Sequence, residues 1–319
     1  MSELKSVTTL PECWGHRGAS AAFPENTLAS FEAAIRDGAE GIESDVHVTM
    51  DDVVVMFHDP SLERTTTMKA IIRESNWHGE DGIHQARTRK APVQAIPTFA
   101  QSVELLMKPE NRHVKFNVDV KVQNDPDRLF RLIHEIISAQ ENWEKDLAPR
   151  ILLGLWHPKF IEPAKKHLPY VRRAHIGMAP AFAKKWFWDS CETFSMNFAA
   201  LVTAEGEAFR RDCKQAGKSI AVWTVNAQEE MMQCVHWGVQ VILTDHTRRW
   251  LDLRTQLAED FVTTSALASG PSYFLWTNWR YYSPTQMVFS RLAQSYLLKF
   301  GGPFEYFPST PSTRVTASA

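Results

Sequence analysis

The chain has 319 residues, and its 44% of hydrophobic residues can bury a large core, which excludes a wholly disordered protein. This length suits two average domains or one α/β barrel with an extension. The 35 basic and 37 acidic residues nearly cancel, so no overall field attracts nucleic acid, and we expect no nucleic-acid partner. Tryptophan is abundant, with 11 residues against six tyrosines, and it is spread over the whole length.

The cysteines and the amino terminus bear on the cellular compartment. Cys13, Cys191, Cys213 and Cys234 form no pair or cluster with zinc-ligand spacing, and we expect reduced thiols. The segment from Met1 to Glu12 is polar and lacks the apolar stretch of a secretion signal. No uninterrupted apolar run is long enough for a conventional membrane span. The sequence therefore predicts an intracellular protein that is not secreted.

Short β-rich runs alternate with helical patterns through most of the chain. The predicted strands are Cys13–His16, Gly41–Val48, Val114–Lys121, Ile151–Trp156, Arg172–Gly177, Thr193–Phe198, Ser219–Val225 and Val239–Asp245. The predicted helices are Glu25–Asp37, Thr98–Met107, Pro126–Ala139, Pro158–His167, Ala181–Trp188, Glu205–Ala216, Ala227–Trp237 and Thr247–Gln256. Eight strands, each followed by a helix, are typical of a (β/α)₈ TIM barrel. A doubly wound open sheet is the alternative, but it rarely needs eight units.

Two segments break the alternation. Residues 60–96 mix charges, glycines and threonines without a clear period, which predicts an insertion on the rim of the barrel. The stretch Thr263–Pro271 is rich in Ser, Thr, Ala and Gly, and we expect a linker there. These breaks divide the chain into a barrel over residues 1–256 and a linker with a tail over residues 257–319.

The predicted tail is aromatic and amphipathic. The string Ser283-Pro284-Thr285-Gln286 has the pattern of a capping box with proline in the first helical position. Behind it, apolar residues recur at helical spacing at Phe289, Leu292, Ala293, Tyr296, Leu297 and Phe300. Such a helix could attach to a membrane, pack against the barrel or form a contact between two copies of the chain.

The first cluster of candidate functional residues follows the first predicted strand. His16 and Arg17 precede a glycine and the start of a helix. In a barrel this is the catalytic face, which is built from the loops after the strands. A histidine beside a fixed cation suits acid–base chemistry on an anion, and arginine can bind phosphate through two nitrogens. Alone, the motif favours a turn with a capping histidine.

The second cluster lies within a predicted strand. Because side chains alternate along a strand, Glu43, Asp45 and His47 share one face. Two carboxylates so close on an inward face repel each other unless a cation lies between them. Their oxygen atoms favour Mg²⁺ or Ca²⁺ over zinc.

Two further strand ends carry ionisable residues. His58 and Asp59 end an apolar run and would place a second histidine at the mouth of the barrel. In the next strand, Asn117, Asp119 and Lys121 share a face. They offer a third metal ligand and a second cation for phosphate, although a buried ion pair would give the same pattern.

Taken in order, these motifs resemble the glycerophosphodiester phosphodiesterase family over about the first 250 residues. The matching strings are His16-Arg17-Gly18, Pro24-Glu25-Asn26-Thr27, Glu43-x-Asp45, His58-Asp59, Asp119-x-Lys121 and Trp223-Thr224-Val225-Asn226. The aromatic tail and the overall length are most similar to the fungal phosphatidylglycerol phospholipase C branch. The resemblance implies a TIM barrel that uses one divalent cation, Mg²⁺ or Ca²⁺.

The resemblance also implies a role for each matching residue. His16 and His58 would be the acid–base pair, Glu43, Asp45 and Asp119 the metal ligands, Arg17 and Lys121 the phosphate ligands, and Trp223 a contact to glycerol. The family often has Glu where this chain has Asp119, which is shorter by one methylene. The implied reaction begins with attack by the glycerol 2-hydroxyl on phosphorus and passes through a cyclic phosphate.

Aromatic residues decide the expected substrate. Basic and tryptophan-rich segments favour a membrane interface, and we predict one formed by Trp186, Phe187, Trp188, Trp276, Trp279 and Phe289. The expected reaction is therefore cleavage of phosphatidylglycerol to diacylglycerol and glycerol phosphate. We expect a cytosol-facing protein attached to a membrane or lipid-droplet surface. The alternatives are hydrolysis of soluble diesters such as glycerophosphoinositol or glycerophosphocholine, and a non-catalytic barrel that binds phospholipid.

Overall fold

The computed structural model describes residues 9–271 and 273–309. Its strands are β1 (Glu12–His16), β2 (Gly41–Val48), β3 (Val54–Met56), β4 (Lys115–Val120), β5 (Ile151–Leu155), β6 (Arg172–Gly177), β7 (Thr193–Asn197), β8 (Ser219–Trp223) and β9 (Val241–Thr244). Its α-helices are α1 (Leu28–Asp37), α2 (Phe99–Met107), α3 (Pro126–Ser138), α4 (Trp143–Asp146), α5 (Ile161–His167), α6 (Pro180–Phe187), α7 (Phe198–Val202), α8 (Ala204–Gln215), α9 (Gln228–Trp237), α10 (Thr247–Glu259), α11 (Phe261–Ala268) and α12 (Ser283–Gly301). Part of the predicted tail, residues 310–319, lies outside the described residues.

Eight parallel strands close into a barrel, which confirms the predicted fold. The strands follow the order β1-β9-β8-β7-β6-β5-β4-β2, and β1 also pairs with β2. The short strand β3 adds to β2 in the antiparallel direction. Helices surround the barrel, so the strands are buried on both faces: every residue of β2 and β5 is buried. Trp14, Leu152, Ala174 and Ala221 fill the inside of the barrel.

The register of the strands brings the candidate residues together. Glu43 in β2 lies opposite His16 in β1, and Asp45 in β2 lies opposite Asp119 in β4. His16 and Asp119 are at or near the carboxyl ends of their strands, where TIM barrels carry their active sites, and the register brings the mid-strand residues Glu43 and Asp45 level with them. The alternation of side chains along β2 and β4 is therefore what directs the acidic residues to one place.

The segment between β3 and α2 has a small core of its own. It contains short 3₁₀ turns and isolated bridges instead of a regular helix after β2. Its buried apolar residues form a cluster separate from the main core: Val55, Phe57, Leu62, Ile72, Ile83, Ala86 and Ile96. The segment predicted as a rim insertion thus folds as a compact unit beside the strand ends.

The carboxyl-terminal segment differs from the prediction in two places. Residues 261–268 form α11, capped by Asp260, so the predicted linker is wrong over most of its length. Helix α12 begins at Ser283 with Tyr282 as its N-cap residue and has no side-chain cap, so the predicted capping box is also wrong. Among the described residues, none of the helices combines the length and apolar character needed to cross a bilayer.

The tail has an inner and an outer surface. Leu297 and Phe304 are buried against the barrel, and His157 Nε2 donates a hydrogen bond to the carbonyl oxygen of Gly302 at 3.1 Å. The exposed large apolar residues of the tail are Val262, Leu267, Tyr273, Trp276, Trp279, Tyr282, Met287, Val288, Leu292, Tyr296, Leu298 and Tyr306. One surface of the tail therefore packs on the barrel, and the other faces solvent.

The three aromatic residues near the end of α6 do not form an exposed patch. Phe187 is fully buried and stacks on His175, with ring centroids 4.0 Å apart. Trp186 is only 7% exposed, and Trp188 is half-buried against Phe194. The prediction that Trp186 and Phe187 lie at a membrane interface is wrong, because their apolar side chains belong to the barrel core.

Candidate active site

A cavity of about 100 Å³ opens at the carboxyl ends of the strands. Its lining residues are His16, Arg17, Glu43, His58, Asn117, Asp119, Lys121, Trp156, Ile176, Ser195, Trp223 and Leu243. The ionisable residues come from β1, β2 and β4 and from the segment after β3. The apolar residues come from β6, β8 and β9 and from the loop after β5. The cavity therefore has a charged side and an apolar side.

The first histidine of the cavity is held by a carboxylate from the opposite end of the barrel sequence. His16 Nδ1 lies 2.7 Å from Asp245 Oδ1, although the two residues are 229 positions apart. Ser20 Oγ and Asn226 Nδ2 also donate hydrogen bonds to this carboxylate, at 2.8 and 2.7 Å. Despite partial burial, the bond to His16 and these donors hold the pKa of Asp245 far below its ordinary value. The arrangement leaves Nε2 of His16 for proton transfer.

The second histidine has the same arrangement with its sequence neighbour. His58 Nδ1 lies 2.8 Å from Asp59 Oδ1. Burial would raise the pKa of Asp59, but His58 and Arg64 together hold it far below the ordinary range. The backbone of His58 is held as well, because His47 Nε2 lies 3.2 Å from its carbonyl oxygen. Burial lowers the pKa of His47 to about 4, so this ring is neutral and has a structural role.

Three buried carboxylates form the centre of the charged side. Glu43, Asp45 and Asp119 each offer an oxygen, and these three atoms lie within 4.8 Å of one another. Burial, followed by the charges of Asp45 and Asp119, raises the pKa of Glu43 well above its ordinary value. Burial also raises the pKa of Asp119. Three buried carboxylates this close together repel one another unless a cation lies between them, and an all-oxygen donor set of this kind fits a hard divalent cation.

Two cations share this negative charge. Lys121 Nζ lies 2.6 Å from Asp45 Oδ1 and 2.8 Å from Asp119 Oδ2. Arg17 Nε lies 3.5 Å from Asp45 Oδ2. Although Asp45 is buried, Lys121 and Arg17 hold its pKa well below the ordinary value. Two cations facing three carboxylates leave a net deficit of positive charge, which a metal ion would supply.

The turn after β1 directs Arg17 into the cavity. Arg17 has a φ of 58° and Gly18 a φ of 77°, so the chain reverses tightly at this point. A Cβ atom on Gly18 would lie 2.5 Å from Ser30 Oγ, which excludes other residues at this position. The backbone amide of Arg17 donates a hydrogen bond to Glu43 Oε2 at 3.0 Å. The same turn thereby orients a phosphate ligand and a metal ligand.

Two tryptophans line the apolar side of the cavity. The rings of Trp156 and Trp223 meet edge to face, with centroids 5.6 Å apart. Trp223 Nε1 donates to the carbonyl oxygen of Ser195 at 2.9 Å, which fixes the ring. Trp156 Nε1 donates to Asp119 Oδ1 at 2.8 Å. Trp156 therefore both lines the cavity and holds a carboxylate of the acidic cluster.

The sequence pattern of the glycerophosphoryl diester phosphodiesterase family matches residues 16–249, which is more than half of the chain. The chain belongs to this family. The matched range contains both histidines, the acidic cluster and both cations of the cavity. As a member of the glycerophosphoryl diester phosphodiesterase family, the protein is a phosphoric diester hydrolase.

Relatives in this family come from bacteria and animals. A glycerophosphodiester phosphodiesterase of Bacillus altitudinis is 23% identical over 264 residues, which cover 78% of this chain and all of the relative. The mouse glycerophosphodiester phosphodiesterase domain-containing protein 4 is 30% identical over 283 residues, covering 78% of this chain and 41% of the relative.

Solved structures of similar proteins share the fold. An Oleispira antarctica phosphodiesterase, in complex with its product sn-glycerol-3-phosphate, has a TM-score of 0.63 and 22% identity. The match covers 76% of this chain and 96% of that chain. A Parabacteroides distasonis glycerophosphodiester phosphodiesterase has a TM-score of 0.64 and 19% identity, with 78% of this chain and 98% of that chain covered. Similarity at this level of identity extends to the fold alone.

The structure brings the predicted catalytic and phosphate-binding residues, Trp223 and the metal ligands Glu43 and Asp119 to one cavity. The third predicted metal ligand, Asp45, is not among the lining residues but lies beside them in the acidic cluster. The structure adds Asp245 and Trp156, which the sequence placed at the ends of strands without giving them a role. Their position could have identified them as site residues, because residues at the carboxyl ends of barrel strands face the active site. The predicted interface residues lie elsewhere: Trp276 and Trp279 are 73% and 59% exposed, and Phe289 is half-buried against Trp279.

Proposed function

We propose that this family member is a phospholipase C type enzyme that cleaves phosphatidylglycerol to diacylglycerol and glycerol phosphate. The observation that carries the proposal is the pair of histidines, each oriented by a carboxylate, in one cavity with Arg17 and Lys121 and beside a cluster of three buried acids. This set can transfer protons at two oxygens of a phosphodiester and neutralise its charge. No serine or cysteine nucleophile is needed for such a reaction.

In the proposed first step the substrate supplies its own nucleophile. The glycerol 2-hydroxyl attacks phosphorus, and the Nε2 atom of one histidine takes the hydroxyl proton. The other histidine, protonated on Nε2, gives its proton to the departing diacylglycerol oxygen. A five-membered cyclic phosphate forms as the bond from phosphorus to diacylglycerol breaks. The carboxylates of Asp245 and Asp59 stabilise each imidazolium as it forms.

In the second step water opens the cyclic phosphate, and the two histidines exchange roles. Arg17 and Lys121 hold the phosphoryl oxygens in both steps. Glu43, Asp45 and Asp119 would hold one divalent cation, Mg²⁺ or Ca²⁺. When bound, this ion supplies Lewis-acid stabilisation of charge on the phosphoryl oxygens.

A lipid substrate is supported by the composition and exposure of the tail. Residues 261–304 contain no Asp or Glu, whereas Arg280, Arg291 and Lys299 are cationic. The exposed apolar surface of the tail carries tryptophan and tyrosine, which favour the membrane interface. We propose that this surface attaches the enzyme peripherally to the cytosolic side of an anionic membrane or to a lipid droplet. Self-association through the same surface is the competing outcome.

A second candidate function is hydrolysis of soluble glycerophosphodiesters. The names of the relatives favour it, because those proteins are described as glycerophosphodiester phosphodiesterases. The same residues and the same two steps would serve glycerophosphoinositol or glycerophosphocholine, since both carry a free glycerol hydroxyl. The two functions differ only in the alcohol that leaves.

Product analysis with defined vesicles tests the proposal. Purified protein is incubated with phosphatidylglycerol vesicles and Mg²⁺ or Ca²⁺, and the phosphate-containing product is identified. We expect glycerol phosphate together with diacylglycerol. His16→Ala and His58→Ala should each lower turnover by about 10²–10⁴-fold, because each removes a proton-transfer group. A non-catalytic phospholipid-binding barrel would show vesicle binding without product in the unaltered chain.

Two matched substrates separate the remaining outcomes. A phosphatidylglycerol analogue with a 2-deoxyglycerol headgroup should resist cleavage, as should phosphatidylcholine, because neither headgroup carries the attacking hydroxyl. Cleavage of either would contradict the cyclic mechanism. Hydrolysis confined to glycerophosphoinositol or glycerophosphocholine would replace the lipid substrate by the soluble one.

A further inference from the structure

We propose that Arg64 is a positioning residue that fixes His58 and Arg17 at the same time, and that the rim insertion serves to present it. The inference depends on the proposed function only for the roles of those two residues. Arg64 lies six residues after His58, within the compact segment between β3 and α2, and its side chain is 49% exposed. None of the sequence motifs described above includes it.

Arg64 makes ion pairs with two carboxylates at once. Its Nε atom donates to Asp59 Oδ2 at 2.5 Å. Its Nη2 and Nη1 atoms donate to the two oxygens of Glu25, at 2.6 and 3.1 Å. A two-pronged contact of this kind fixes direction as well as distance. An ordinary surface ion pair, by contrast, joins one donor to one carboxylate and has little effect.

Each of the two carboxylates also contacts a residue of the proposed active site. Asp59 receives Arg64 on Oδ2 and His58 on Oδ1, so the Arg64 contact sets the plane of the carboxylate that orients the histidine. Glu25 Oε1 accepts both Arg64 Nη2 and Arg17 Nη1, the latter at 3.1 Å. One exposed guanidinium therefore connects the proton-transfer machinery to the phosphate-binding machinery.

The charges of this network agree with the geometry. Arg64 and Arg17 lower the pKa of Glu25 despite its burial. Bonds to Glu25 and Asp59 raise the pKa of Arg64 further above an already high value. All four groups are therefore ionised throughout the working pH range. Lysine could not replace Arg64, because one ammonium lacks the planar fork that reaches two carboxylates in fixed directions.

The experiment compares four variants with a matched control. Two contacts of Arg64 are tested: the His58 arm, which runs through Asp59, and the Arg17 arm, which runs through Glu25. Arg64→Gln breaks both arms, whereas Arg64→Lys keeps the charge. Asp59→Asn weakens the His58 arm, and Glu25→Gln weakens the Arg17 arm. The control is Arg73→Gln, an exposed arginine of the same insertion that pairs only with Glu74. For each variant kcat and KM are measured on phosphatidylglycerol vesicles and on glycerophosphocholine. Binding of inorganic phosphate in the presence of Mg²⁺ is measured separately by calorimetry, and thermal unfolding checks the fold.

We expect Asp59→Asn to lower mainly kcat, and Glu25→Gln to raise mainly KM and the Kd for phosphate. Arg64→Gln should lower kcat and raise both KM and the Kd for phosphate. The combined loss in kcat/KM should be about 10–100-fold, which is the effect of a small misalignment of reacting groups. Arg64→Lys should recover only part of the loss, and Arg73→Gln should match the unaltered protein. The inference is overturned if Arg64→Gln matches Arg73→Gln, or if its losses merely follow a fall in Tm. If neither diester is cleaved, the proposed function fails, while phosphate binding still tests the Arg17 arm.

Discussion

Asp119 depends on a neighbour that carries no charge. Trp156 Nε1 holds its Oδ1 atom at 2.8 Å, and Lys121 holds Oδ2. Hydrogen bonds of this type orient ligand carboxylates, and losing one typically costs 10–100-fold in metal affinity. Trp156→Phe removes the N–H group and keeps an aromatic ring in the wall of the cavity. We expect it to weaken binding of Mn²⁺, a spectroscopic substitute for Mg²⁺, by about 10-fold in an electron paramagnetic resonance titration.

Trp143→Phe is the matched control for that titration. Trp143 packs against Tyr170, with ring centroids 4.6 Å apart, and is not among the residues that line the cavity. Its removal should leave Mn²⁺ binding unchanged. Equal affinities for Mn²⁺ in the unaltered protein and in Trp156→Phe would mean that the hydrogen bond from the indole does not orient Asp119 for metal binding.

At the scale of single residues, the sequence predicts the positions that follow from the local alternation of side chains, but not the contacts between distant parts of the chain. The alternation along one strand was enough to place Glu43 and Asp45 on one face. It could not pair His16 with Asp245, because that contact depends on closure of the barrel over 229 positions. Nor could it separate the buried Trp186 from the exposed Trp276, since an apolar ring suits a protein core and a lipid interface equally well.

Helix α6 and the tail differ in what their aromatic residues do, and two variants distinguish them. Phe187 is fully buried and stacks on His175, so Phe187→Ala should lower the free energy of unfolding by about 3–5 kcal/mol. Trp276 is 73% exposed, so Trp276→Ser should leave stability nearly unchanged. In vesicle flotation we expect the reverse, with Trp276→Ser weakened and Phe187→Ala intact below its unfolding temperature. If Phe187→Ala lost flotation at a temperature where it is still folded, the result would indicate that α6 does contact the membrane.

We expect the contact between the tail and the barrel to weaken as the pH falls. Burial lowers the pKa of His157 from an ordinary 6.5 to about 4, and the neutral ring accepts a hydrogen bond from the Lys159 amide while it donates to Gly302. A detached tail would let the ring take a proton more readily. The stabilisation is therefore complete above about pH 6.5 and declines as the pH falls toward 4. Proteolysis near Gly302 should accelerate over this range.

His157→Gln provides the control for the pH series. A glutamine amide can still donate to the Gly302 carbonyl, but it does not titrate. Proteolysis of this variant should depend on pH only as the protease itself does. The same acceleration in both proteins would assign the effect to other groups.

At the scale of whole elements, the sequence predicted the barrel strands to within two residues, because each is a short run, apolar or alternating, between helical patterns. It missed α11, since residues 261–268 have the small and hydroxyl residues of a linker and no clear amphipathic period. The start of α12 was placed one residue late, because Tyr282 occupies the N-cap position without supplying a side-chain bond. Both errors concern segments whose structure depends on packing against the barrel.

The whole molecule is nearly neutral, but its charges are distributed unevenly. Residues 261–304 carry three cations and no acid, so this part of the tail should favour anionic vesicles over neutral ones. Replacing Arg280, Arg291 and Lys299 by glutamine should weaken binding to vesicles of anionic lipid about 100-fold, at roughly 1 kcal/mol for each cation. Raising the salt concentration should reduce binding of the unaltered protein in the same direction. Flotation at increasing salt measures both effects.

A second triple variant controls for total charge. Arg73, Arg131 and Lys165 are exposed cations of the insertion and the barrel helices, outside the tail. Replacing these three by glutamine changes the net charge equally and should leave vesicle binding almost unaffected. Equal losses in the two triple variants would assign the attraction to the overall charge. Concentration-dependent dimers without vesicle binding would favour self-association of the tail.

The seam between β1 and β9 has a consequence for the protein during its synthesis. These are the first and last strands of the barrel, and His16 meets Asp245 across the seam. A ribosome adds about 5–20 residues per second, so His16 waits on the order of ten seconds or more for its carboxylate. The nascent chain therefore has only one of its two oriented histidines. If catalysis requires both oriented histidines, as proposed, the chain is inactive until Asp245 has been synthesised and β9 has closed the barrel.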